Sequence, residues 1–389
     1  MWHEVLRWSL LALALGPFGY YLLAITAARR FFRNRSPISK EFTPPVSILK
    51  PVRGLDREAY ENYASFCRQE YPEFEIIFGV TEDTDPAIPV IEKLIHDFPQ
   101  CKIRLLIGAE RLGTGDKVNK LCRMVREAKH DILIISDSDI RVAPGYLYAV
   151  AAPFADPKVG AVTCLYRGIT DGTLVSEMEA LGNTSDFDAG VLSAWQLGGV
   201  DFTLGATMAT TKKHLAEIGG FEALVDHFSD DYELGHRIHA LGYRIVLSQE
   251  PVDTVYPAES WQEAFHRQLR WNMAVRFSRP ALGLTLIFTH GLAWAALVSI
   301  IAPAPAIVWF FWCAYIILRG TMAWTVGVWG LKDPLVRKKL WLLPFRDSLA
   351  FIVWVLSLFC RGVRWHGTKY YVRNRRLVLA GRRTVGAGA

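Results

Sequence analysis

The sequence predicts an α/β protein: a mostly parallel sheet with helices on both faces, joined to α-helical membrane segments. Three observations carry this. Between residues 41 and 280, runs rich in β-branched side chains alternate with segments of helical spacing, the pattern of a parallel sheet covered on both sides. Outside that region, residues 8–27 and 281–360 are apolar. One strand-like run, 132–136, ends on Asp137-Ser-Asp139, at the strand end where open α/β sheets hold ligands.

At roughly 150 residues per domain, a chain of 389 residues allows about two domains. Half of it is hydrophobic and 13 residues are Trp, but they are spread unevenly. The six cysteines (67, 101, 122, 164, 313, 360) form no C-x-x-C and no His-Cys cluster. Neither zinc nor a disulfide framework is indicated, and a reducing cytoplasmic face fits.

Residues 8–27 are about 20 long without a charge, enough to cross a ~30 Å hydrocarbon core. The run is long for a cleaved signal peptide, and its basic cluster (Arg29, Arg30, Arg33, Arg35, Lys40) follows it instead of preceding it. By the positive-inside rule the downstream region is cytoplasmic.

The sheet region then reads in order. Residues 46–50 are a first strand, followed by a helix through Cys67; 75–80 are a second strand, closed by the acidic turn 82–86. Residues 88–98 have helical spacing, 102–107 form a third strand, and 117–129 a helix. The fourth strand carries Asp137 and Asp139, and 159–165 are a fifth. There is no internal repeat. Gly108-x-x-x-x-Gly113 is followed by Thr114, so the P-loop fails, and no Gly-x-Gly-x-x-Gly follows the first strand.

Four places carry chemistry, each with a plainer reading. Asp137 and Asp139 suit a divalent cation, with phosphates and water completing the shell; the plainer reading is a polar turn. Lys117, opening a helix at a glycine-rich turn, suits a phosphate, or is simply a solvated lysine. Asp230-Asp231 opens an amphipathic helix, where an Asp is often an N-cap. Arg267, Arg270 and Trp271 stand at i, i+3 and i+4 on one helix face over 259–271. Two guanidiniums there can clamp a diphosphate; with Trp271 they also suit a membrane interface.

Together these pieces resemble the ceramide glucosyltransferases, a branch of the inverting GT-A-fold glycosyltransferases with a D, D, D, (Q/R)xxRW signature. The matching segments are Leu49-Lys-Pro-Val-Arg-Gly-Leu-Asp56, Asp85-Pro-Ala-Ile88, Lys117-Val-Asn119, Asp137-Ser-Asp-Ile-Arg-Val142, Asp231-Tyr232 and Arg267-Gln-Leu-Arg270-Trp271. Ceramide enzymes have Asp-Ser-Gly where this chain keeps Asp137-Ser-Asp139. The segment 200–209 looks more like bacterial enzymes that attach N-acetylglucosamine to hopanoid polyols.

The resemblance implies a UDP-sugar donor, a membrane-lipid acceptor, transfer with inversion and no nucleic-acid partner. It implies Glu82 or Asp85 accepting from the uracil and Asp137 and Asp139 holding Mg2+ or Mn2+ on the diphosphate. Lys117, Arg267 and Arg270 face the nucleotide-sugar, Asp231 is the general base and Trp271 lines the acceptor side. A processive polysaccharide synthase shares the aspartates and QxxRW, but the C-terminal membrane region is short for a channel. An inactive membrane scaffold would be expected to have lost Asp231 or the Asp-x-Asp.

The expected organisation is a transmembrane helix within 1–30, the GT-A domain at 41–280, and two transmembrane helices within 281–329. The basic loop of Lys332, Arg337, Lys338 and Lys339 returns to the cytoplasm. Uninterrupted apolar sequence from 348 to 360 is 13 residues, short of the ~17 a span needs, with Arg346 and Asp347 before it. A re-entrant or interfacial segment is therefore expected at 342–361, then a basic cytoplasmic tail at 362–389 (Arg364, Lys369, Arg373, Arg375, Arg376, Arg382, Arg383). The expected location is a bacterial inner membrane, multi-pass, with the catalytic domain on the cytoplasmic face.

Overall fold

The computed structural model describes residues 1–35, 39–360, 362–365, 368–373 and 375–379. Eight strands form the main sheet: β1 (Val46–Pro51), β2 (Phe74–Val80), β3 (Lys102–Ile107), β4 (Ile132–Ile135), β5 (Ile140–Arg141), β6 (Val159–Ile169), β7 (Met208–Thr211) and β8 (Arg244–Val255). Their order is β3-β2-β1-β4-β7-β6-β8-β5. The first four in that order run parallel, as do β6 and β8, while β7 and β5 pair antiparallel to their neighbours. The sheet is thus mixed, and the order reversal beside β4 opens a crevice at its carboxyl end.

Alternation along the buried strands divides the core in two. Ile48, Ile76, Phe78 and Ile134 face one layer; Leu49, Ile77, Leu133 and Ile135 face the other, as a period of two requires. The second layer is continuous with the apolar helices. It runs through Ala189, Val191 and Leu192 to Phe18, Phe31, Trp294 and Phe311.

Among the described residues, three helices are long and apolar enough to cross a membrane: Trp2–Arg33, Pro305–Gly330 and Pro334–Phe359. Pro280–Thr289 and Gly291–Ile301, bent by 62°, would make a fourth if the pair is one span. The last apolar element begins before its uninterrupted apolar run. Its helix, Leu343–Phe359, runs straight through Arg346 and Asp347. The charges do not end it because they are paired inside the protein: Asp347 accepts from Arg319 and from Tyr315 Oη (2.8 Å), and Arg346 lies 3.4 Å from Asp186.

Both ends of this element return to the sheet domain. At the start, Thr184 Oγ1 donates to Asp333 (2.8 Å) and Arg167 to the Leu331 carbonyl (3.1 Å). At the end, Arg276 donates to the carbonyls of Ser357 and Cys360. In between, the helix lies along Trp261–Ser278, with Arg346 Nη2 on Gln268 Oε1 at 3.4 Å. Trp341, Phe345, Ile352, Leu356 and Phe359 are left exposed, while Arg346, Asp347, Val353, Trp354 and Ser357 are buried.

Part of the expected basic tail is folded. Gly362–Trp365, Thr368–Arg373 and Arg376–Leu379 form an antiparallel three-stranded sheet. It docks on the sheet domain: Phe228 N–H donates to the Arg375 carbonyl (3.0 Å), and Val372 is buried with Phe228 and Met273. Arg382 and Arg383 lie outside the described residues.

Candidate active site

The crevice floor is built by β1 and β4. Lys50, the one charged residue of β1, is fully buried and donates to the Asp137 carbonyl (2.9 Å), with its ammonium 3.9 Å from the Phe66 ring centre. Burial pulls its pKa down to about 7, against the attraction of Asp139, Asp137 and Asp56. Asp139 is the mirror case. Burial, then the charges of Asp137 and Asp56, push its carboxyl up to about 7. Three acids therefore crowd one buried lysine, an excess of negative charge that a cation would relieve.

Asp137 is partly open, with its side chain 38% exposed. Its Oδ1 sits 2.8 Å from Lys117 Nζ, which also lies 3.3 Å from Asp230. Burial works against the Lys117 charge, but Asp137 and Asp230 outweigh it and hold the ammonium well above its ordinary pKa.

Asp231 is the second residue of the helix Asp230–Ala240, not its N-cap, which is Ser229. Its Oδ1 accepts from Ser229 Oγ (2.9 Å) and the Tyr232 N–H (2.8 Å), and its Oδ2 from the Gly205 N–H (3.1 Å). Burial, then neighbouring Asp230, raises its pKa above the ordinary aspartate range. Gly205 is where these groups meet. A Cβ there would stand 3.1 Å from Asp137 Oδ2, 3.5 Å from Asp231 Oδ2 and 3.9 Å from Lys117 Nζ.

Beside Asp231, the Tyr232 and His236 rings stack at 5.2 Å. Arg279 donates to Tyr232 Oη (3.3 Å) and pairs with Asp201. This polar cluster immediately precedes the apolar helices.

The structure gives the remaining residues picked from the sequence other partners. Both oxygens of Asp85 accept the Gly54 N–H (3.2 and 2.9 Å), and Oδ1 also takes that of Ala87 (2.9 Å). They fix the loop after β1, whose Gly54 has φ +73°. Glu82 is exposed on the same acidic turn. Arg267 pairs with Glu179 and Glu259, and its guanidinium lies 6.0 Å from the ring centres of both Tyr256 and Trp271. Arg270 has its pKa pulled down to about 10 by burial and by Arg267. Trp271 is 38% exposed.

Lys50, Asp56, Glu179, Gly205 and Tyr256 are additional residues of this neighbourhood. Tyr256 Oη is buried with no hydrogen-bond partner among the described residues. Lys50 carries a local signal as the one charge inside β1, and Asp56 and Gly205 fall within segments that carry the family resemblance. Among the described residues there is no group of three or more His, Cys, Asp or Glu able to hold a metal. A cation at Asp137 and Asp139 would thus draw its other ligands from a diphosphate and water, which suits Mg2+ or Mn2+.

Comparison with known proteins gives a consistent picture. The profile of Glycosyl transferase family 21 matches residues 9–378. Ceramide glucosyltransferase 1 of Caenorhabditis elegans is 28% identical over 230 residues, 59% of this chain and 49% of that protein. Ceramide glucosyltransferase of Gibberella zeae is 31% identical over 172 residues, 40% of this chain and 33% of that one. The chain thus spans about half the length, or less, of these curated relatives. The mannosyltransferase PcManGT of Pyrobaculum calidifontis, solved with GDP-Man and Mn2+, superposes with a TM-score of 0.59 at 18% identity. The match covers 91% of this chain and 99% of that one, so the two share a GT-A fold.

Proposed function

Since the chain belongs to glycosyl transferase family 21, we propose that it moves glucose or N-acetylglucosamine from a UDP-sugar to a hydroxyl of a membrane lipid, a ceramide or a hopanoid polyol, with inversion. The observation that carries the reading is the convergence of Asp137, Asp231 and Lys117 on Gly205. Donor-side and base-side groups thereby face one backbone position with no side chain to fill it.

The roles follow from chemistry. Asp231, its carboxylate oriented by Ser229, Tyr232 and Gly205, takes the proton of the lipid hydroxyl. That oxygen bonds to the anomeric carbon from the face opposite the departing UDP, so the configuration inverts. Lys117, Arg267 and Arg270 face the nucleotide-sugar, Glu82 and Asp85 its uracil end, and Trp271 the acceptor. Asp137 and Asp139 would hold the divalent cation, which when bound neutralises charge on the diphosphate.

Expressing the chain in a host without glycolipids and weighing the lipid extract by mass spectrometry tests this reading. A new lipid heavier by a hexose or an N-acetylhexosamine is expected; the increment gives the sugar class and the aglycone the acceptor. Folded protein with no new glycolipid from any UDP-sugar would sink the proposal.

Two finer outcomes are expected. A base works only when deprotonated, so transfer should fall as pH drops through the raised pKa of Asp231. Asp230→Asn removes the adjacent like charge and should move that acid limb to lower pH under saturating metal. An unmoved limb would mean that another group titrates. Separately, Asp139→Ala, or EDTA on the wild type, should weaken UDP binding about tenfold, ~1.4 kcal/mol. Equal titration calorimetry with and without metal would dismiss the Asp-x-Asp as the cation holder.

The same reading gives a membrane arrangement. Trp2–Arg33 crosses once; Pro280–Ile301 and Pro305–Gly330 form a hairpin with its Pro303/Pro305 turn on the far side. Residues 334–359 lie in the plane of the membrane with their exposed apolar face against lipid, and the 41–280 domain is cytoplasmic. The support is that both ends of 334–359 bond to the sheet domain. Single cysteines at Glu110, at Lys338 and after residue 385 should then react with an impermeant label from one and the same side. Reaction of the last from the opposite side would require 334–359 to cross.

A further inference from the structure

A second site lies away from the crevice, where the first apolar helix ends. A cavity of about 380 Å3 there is lined by Arg29, Arg33, Trp324, Thr325 and Trp329, within the range of small-ligand pockets. We propose that it binds the phosphate headgroup of an anionic phospholipid.

The charge comes first. Arg29 and Arg33 are one helical turn apart on one face. Both are exposed, and among the described residues neither guanidinium has an ion pair or hydrogen bond. By contrast, the guanidiniums of Arg167 and Arg319 are paired with acids. Two guanidiniums left open to one cavity form a fork suited to phosphate oxygens.

The level of the cavity points to a lipid instead of free phosphate. Immediately beyond Arg33, Arg35 donates to the Gln249 carbonyl of the sheet domain (2.7 Å). Beside Trp329, Leu331 accepts from Arg167 (3.1 Å). The cavity therefore sits where the apolar helices meet the polar domain, at headgroup depth. Its two indoles, each 47% exposed, match the aromatic preference for that depth.

An acyl chain also has a path away from it. Leu22, Thr26, Arg29 and Arg33 follow i, i+4, i+7, i+11 along one exposed stripe. Exposed Ile317 stands two turns before Trp324 on the other wall. The walls turn from charged to apolar along the helices, as a phospholipid does along its length. Binding would tie the first helix to residues 324–330, which already touch through Phe32 and Trp329 (6.3 Å). The inference rests on membrane association and not on sugar transfer.

The test uses the full chain in nanodiscs of phosphatidylcholine with or without phosphatidylglycerol, released for native mass spectrometry. Wild type should keep one phosphatidylglycerol more than the Arg29→Gln/Arg33→Gln variant. That variant should bind it about twenty-five-fold more weakly, at roughly a factor of five per arginine near an anionic surface. Arg337→Gln/Lys338→Gln loses the same charge from another exposed basic cluster and should bind like wild type. Equal retention by wild type and Arg29→Gln/Arg33→Gln would overturn the site. So would an equal loss in both double variants, which would be general surface charge. Displacement of the lipid by millimolar glycerol 3-phosphate would make it a free-phosphate site and overturn the lipid assignment.

Discussion

Asp231→Asn is expected to cut sugar transfer at least ~100-fold, the lower bound for losing a general base, while UDP-sugar affinity stays within about twofold of wild type. The amide keeps the shape, and its oxygen can still accept from Ser229 and the Tyr232 N–H. It cannot take the acceptor's proton. Its NH2 would face the Gly205 N–H now bound to Oδ2 at 3.1 Å, a donor against a donor, so a local cost of about 1 kcal/mol is anticipated. Single-turnover transfer and calorimetric UDP binding separate these effects. Turnover above about a tenth of wild type would remove Asp231 from the base role.

The second large effect concerns stability. Arg319 is 2% exposed and donates to both oxygens of Asp347, to Ser185 and to Asp186. Arg319→Leu leaves Asp347 buried without its cation, while Asp186 keeps Arg346 at 3.4 Å; a broken buried pair costs ~3–5 kcal/mol. In detergent, a clear fall in the unfolding midpoint is expected. Arg319→Leu/Asp347→Leu, which removes the main orphaned charge with its partner, should recover more than half of it. A single variant that melts with wild type would show that water reaches these acids and that the network holds little together.

That network also explains what the sequence conceals. Strands β1 to β4 were legible to within a residue or so because each is a compact apolar run between turns. β7 and β8 were not. β7 has four residues, and β8 interrupts its apolar residues with Ser248-Gln-Glu-Pro251. Asp137, Asp139 and Asp231 could be picked as candidates because they sit at strand and helix ends. Gly205, Glu179 and Tyr256 come from segments that meet the others only in three dimensions. Arg346 and Asp347 read as the end of an apolar segment because their partners, Arg319 and Asp186, are distant in sequence.

The small sheet after residue 361 has a consequence in time. The loop leading into Asp230 and Asp231 is gripped on one side by the 113–115 turn, where Thr114 holds Asp226 and Gly115 holds Val225. On its other side it is gripped by Arg375 and Arg376, through Phe228 and His227. During synthesis the first grip is available early, while the second emerges only after all the apolar helices. A nascent chain therefore carries every acid of the crevice well before the loop that aims Asp231 is clamped. The order of translation itself delays the finished site until the helices that seat it have been made.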